Sequence, residues 1–192
     1  MRLFLKLKAL SYILLASTLA HAAAYNVVEA SKQGTHQQSI YSALEFISAK
    51  ADASCTTALP GLKEMVTSLE GDKANEQTIL VGHGTFEALT AAFTGNDGSV
   101  PEGYFITVND TSTFFTDRVP NKPANYQEIA HKYRGGTAQA QVFILMHELG
   151  HALSAPGFIP DLSSTKNVAH NDAIVEASCQ SVIRPAGKRQ PF

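Results

Sequence analysis

The chain has 192 residues, of which 44% are hydrophobic and 17% charged, and its formal net charge is -2. That length is enough for one domain with its own core. The mildly acidic balance argues against nucleic acid or anionic lipid as a partner, since both are bound mainly through phosphate charge. No internal repeat, low-complexity tract or Pro-, Gly- or Ser-rich linker divides the sequence.

The first segment, residues 1–24, reads MRLFLKLKALSYILLASTLAHAAA. Arg2, Lys6 and Lys8 precede an apolar run that ends in small residues, the pattern of a secretory signal peptide cleaved after Ala22 or Ala24. The apolar run is shorter than the ~20 residues a membrane span needs. The expectation is therefore a soluble, monomeric product of residues 25–192, secreted or periplasmic, with no membrane partner after cleavage. Two cysteines, Cys55 and Cys179, enter an oxidising compartment together, and the even count favours a disulfide between them.

Along the rest of the chain, Ile40, Ala43, Leu44 and Ile47 recur at helical spacing, as do Leu62, Met65, Val66 and Leu69 between two glycines. Both stretches predict amphipathic helices. The β-branched run TILVG, 78–82, predicts a strand. TFEALTAAF, 85–93, places Phe86, Leu89 and Phe93 at helical spacing behind Thr85, a good N-cap, and predicts a helix. GYFITVND, 103–110, predicts a second strand, and STFFT after it a short partner strand. Residues 117–136, rich in Pro and Gly, predict a loop with a helical turn near YQEIAHKY.

Thr137 is an N-cap candidate for a helix from Ala138 to Leu153, interrupted by no proline and ended before Pro156. Its second half reads VFILMHELGHAL, in which an apolar, buried-looking run carries His147, Glu148 and His151. Burying three ionisable groups without partners costs several kcal/mol or forces them to neutralise. Imidazoles at i and i+4 lie on one helix face and can bind the same tetrahedral Zn²⁺, which turns their burial into a favourable site. A carboxylate directly after the first histidine can act as general base toward an attacking water. Isolated His36, His83 and His131 lack this context and read as ordinary histidines, with His83 in a loop. His131, Tyr133 and Tyr104 could each stabilise an oxyanion, but nothing in the sequence fixes their position.

His147-Glu148-Leu149-Gly150-His151 matches the HExxH signature, and the chain resembles the zincin superfamily of zinc metallopeptidases, in particular its small secreted bacterial members. The resemblance covers roughly residues 103–161. It implies an α+β, zincin-like fold: a small mixed sheet packed on a central HExxH helix with flanking helices. It also implies Zn²⁺ as cofactor, His147 and His151 as metal ligands and Glu148 as the catalytic base. An edge strand that holds extended protein or peptide substrate beside the helix would correspond to Tyr104–Asn109. The third ligand departs from the metzincin-like pattern, because Ser154 and Gly157 stand where that pattern has Gly and His or Asp. Asp161 is the first choice, since a loop with Pro156, Gly157 and Pro160 can turn back under the helix. His170 is second, Glu176 third and Asp172 behind it. A metal-binding exported module without turnover, and a zinc amidase acting on other amides, are the alternatives to a peptidase.

Overall fold

A computed structural model describes residues 26–27, 30–71, 77–83, 88–94, 101–117, 132–162 and 164–192. The expected signal peptide, the Thr85 cap, His131 and most of the loop from 117 lie outside these residues. The described part mixes α and β. Helix α1 spans Ala30–Lys50 and buries Ile40, Ala43, Leu44 and Ile47 on one stripe, the spacing seen in the sequence. A short helix α2, Ala53–Ala58, follows; its N-cap Asp52 accepts from the Cys55 amide at 3.0 Å. That hydrogen bond satisfies one of the amides a helix start leaves open. Helix α3, Leu62–Gly71, turns Leu62, Met65, Val66 and Leu69 into the core.

The sheet contains β1 (Asn26–Val27), β2 (Gln77–His83), β3 (Ala88–Thr94) and β4 (Pro101–Asn109), in the order β1-β2-β4-β3. β2 runs parallel to β4, with Ile79 opposite Ile106, while β3 runs antiparallel, with Thr90 opposite Ile106. Three sequence expectations are corrected here. Residues 88–94 form a strand, not a helix: Leu89, Ala91 and Phe93 alternate as well as Phe86, Leu89 and Phe93 fit a helical stripe, and the available pairing with β4 decides between the two periods. His83 closes β2 and is not in a loop. STFFT is a turn, because Asn109 Oδ1 accepts from the Thr111 amide at 3.1 Å and Ser112 Oγ from the Phe114 amide at 3.2 Å, bonds that compete with strand pairing.

β4 is an inner strand, and Ile106, Thr107, Val108 and Asn109 are buried on both of its faces. Tyr104–Asn109 is therefore not an edge. The edge on that side is β3, and β3 is the strand that packs against the central helix α4, Ala138–Ala152.

α4 starts at Thr137, whose hydroxyl accepts from the Ala140 amide. It is buried along nearly its whole length, between β3, α1 and two C-terminal helices. These are α5, Thr165–Ser178, and α6, Gln180–Ala186, where the sequence stretch DAIVEASCQSVI, 172–183, predicts a single shorter helix. Ser164 caps α5 through the Asn167 amide, which moves its start seven residues upstream of that expectation. Cys55 and Cys179 are joined, fastening α2 to the residue between α5 and α6. Among the described residues no helix is long and apolar enough to cross a membrane.

Candidate metal centre

His147 and His151 sit one turn apart on α4, and their Nε2 atoms approach to 3.1 Å. The helix must stop directly after them if the chain is to return. Ser154 takes a left-handed conformation, φ 48°, while its amide bonds to His151 O at 3.0 Å and the Ala155 amide to Gly150 O at 2.9 Å. This pair of bonds is the Schellman ending. Pro156 bars further helix, and Gly157, at φ 84°, supplies the second left-handed turn. The loop then brings Asp161 Oδ2 to 3.0 Å from His147 Nε2 and 3.3 Å from His151 Nε2.

These three atoms form a triangle with sides of 3.0, 3.1 and 3.3 Å. A tetrahedral zinc ion with bonds of ~2.0–2.1 Å has ligand-to-ligand edges of about 3.3 Å, so the spacing and the N, N, O donor set suit a metal ion. The protonation pattern points the same way. His147 Nδ1 lies 2.8 Å from Asp172 Oδ1, and since a carboxylate can only accept, Nδ1 carries the hydrogen and Nε2 presents its lone pair to the cluster. Asn171 Nδ2 stands 3.4 Å from His151 Nε2. Two imidazole nitrogens and a carboxylate oxygen converge this closely only with a proton or a metal cation among them. With a proton as that cation, His147 is pushed up to about 10. Burial acts against its charging, but the hydrogen bonds of Asp161 and Asp172 and the charge of Glu148 prevail. Burial likewise opposes ionisation of Asp161, yet the bonds from His147 and His151 hold its carboxyl below the usual range. His147, His151 and Asp161 could hold a metal ion.

The other candidates from the sequence stand elsewhere. His170 lies within α5 and donates from Nε2 to Gly157 O at 2.9 Å, so it ties the loop rather than entering the cluster. Glu176 is paired with Lys132 near the surface. Asp172 is behind His147, on the nitrogen facing away from the triangle. Glu148 is buried beside His147. His36 stacks on Phe115, and Tyr133 packs on Phe143.

Two contributors escaped the sequence reading. Phe158 presents its ring edge-on to both histidines, with centroids 6.0 and 5.4 Å away. Asn171, fully buried, donates from Nδ2 to Asp161 Oδ1 and to Ile159 O, both at 2.8 Å, and accepts from the Ile159 amide at 3.1 Å. A signal for it was present: Val168 and Val175 mark a buried stripe on α5 that continues to Cys179 at its end, and Asn171 and Asp172 occupy that same stripe. Polar residues on an apolar stripe need partners inside. No protein family, no curated protein and no solved structure matches this chain.

Proposed function

We propose that this chain is an exported zinc-dependent metallopeptidase of zincin-like fold, with His147, His151 and Asp161 as metal ligands and Glu148 as general base. The observation that carries the reading is the convergence of the three donor atoms within 3.3 Å of one another, next to a buried glutamate on the same helix. A metal site with a purely structural role usually closes on four protein ligands and has no use for that carboxylate. Bound zinc supplies a positive charge that polarises a substrate carbonyl and makes water acidic enough to deprotonate near neutral pH.

The protein's own groups do the rest. Asp172 fixes the His147 tautomer so that Nε2 faces the ligand triangle. Glu148 accepts the proton of the attacking water and hands it to the departing amine nitrogen. Phe158 covers one side of the histidine pair with hydrocarbon. β3, the edge strand against α4, offers backbone groups to an extended peptide, which could add to the sheet as a further strand. The Cys55–Cys179 bond accords with an oxidising destination and hence with export.

Glu148→Gln keeps the shape and removes the proton acceptor. Cleavage of an unstructured protein substrate should fall by roughly 10² or more while elemental analysis still finds about one zinc per chain. If the unaltered protein holds zinc but cleaves no member of a peptide library, the peptidase reading fails and a metal-binding module without turnover replaces it.

A further inference from the structure

We infer that Asn171 is the positioning residue of the metal centre: it holds one oxygen of Asp161 so that the other alone faces the two histidines. The inference rests on His147, His151 and Asp161 being a metal site, and does not depend on the chemistry performed there.

An amide side chain has two N–H hydrogens and one carbonyl oxygen to place. Asn171 spends them all on the loop between the second histidine and the third ligand. One hydrogen goes to Asp161 Oδ1 and the other to Ile159 O, each at 2.8 Å. The carbonyl takes the Ile159 amide at 3.1 Å. With both hydrogens committed at short distance, Asn171 does not compete with the cluster for His151 Nε2, which stands 3.4 Å from Nδ2.

Two consequences follow for the carboxylate. Asp161 Oδ1 is engaged away from the triangle, so Asp161 acts through Oδ2, the oxygen 3.0 and 3.3 Å from the imidazoles. The carboxylate is thereby restricted to one donor atom, which leaves a tetrahedral ion its fourth position. The reach of Asp161 is also fixed from both ends, because Asn171 grips the backbone two residues earlier. The neighbouring Asp172 orients His147 from the same helix. Adjacent residues on α5 thus set two of the three ligands.

A residue that only braced the loop would affect folding stability without acting through Asp161. Zinc affinity in a double-mutant cycle separates the roles. Asn171→Ala should weaken zinc binding by roughly 10- to 100-fold in the otherwise unaltered chain, and by less than about 3-fold when Asp161 is already alanine. Equal losses in both backgrounds, or no loss in the first, would overturn the assignment. Cobalt substitution of the unaltered chain gives a second readout that needs no variant to fold. Strong visible bands of a four-coordinate ion are expected, and the weak bands of a higher-coordinate ion, as a two-oxygen Asp161 would produce, would overturn it. Failure of the unaltered chain to bind zinc at all would sink the metal site itself.

Discussion

Asp161 and His170 show how differently two candidate ligands can be used once the backbone is in place. Ten residues separate Asp161 from His151, and two left-handed residues, Ser154 and Gly157, bring the loop back across that span. His170 is nearer to the imidazole chemistry zinc prefers, but its Nε2 is already bonded to Gly157 O. Asp161→Ala should lower zinc affinity at least ~10-fold, whereas His170→Ala should change it little; competition against a chromophoric chelator measures both. A large loss for His170→Ala alone would move the third ligand. At this scale the grouping of His147, His151 and Asp161 was legible in the sequence. HELGH is legible because ligand spacing and helical period coincide, and the Pro- and Gly-bearing loop made Asp161 the first choice. Asn171 was missed because its meaning depends on a partner ten residues back, across a loop whose path no local rule gives.

Among the elements, α4 and the ligand loop depend on a close approach at Gly150. A β-carbon there would lie 2.1 Å from Cζ of Phe158, well inside contact, so the ring must leave its place against the histidines. Gly150→Ala is expected to destabilise the fold by about 1–3 kcal/mol, as overpacked cores do, and to weaken zinc binding as well. Chemical denaturation and zinc titration test the two effects separately, and a variant of unchanged stability would mean that Phe158 has another rotamer at no cost. The strands illustrate where local reading stops. β2 and β4 carry β-branched runs that few other structures suit. β3 contains alanines and threonines that fit either period, and only its pairing with β4 selects the strand. The exchange of edge and centre between β3 and β4 has the same origin, because strand order is set by contacts between segments rather than within them.

For the molecule as a whole, the strongest covalent constraint is the bond between Cys55 and Cys179, 124 residues apart. Both sulfurs are buried in the core. In the chain-entropy account a loop of this length contributes about 4–5 kcal/mol by restricting the unfolded chain. Replacing both cysteines by serine should lower the melting temperature by roughly 10–15 °C, read by circular dichroism. A shift of only a degree or two would show that the two helix ends stay together without the bond. The pairing was legible from cysteine count and the signal-like first segment, and its tie to the last helical region from the place of Cys179 in the stretch DAIVEASCQSVI, while its seat at the junction between α5 and α6 was not. That position has a topological consequence. The disulfide closes a covalent ring running from residue 55 to residue 179, and His147, Glu148, His151, Asp161, Asn171 and Asp172 all lie on it. A single backbone nick anywhere on the ring opens it without releasing a fragment. Damage to an exposed loop within the ring then leaves all six of these side chains tethered to the same molecule.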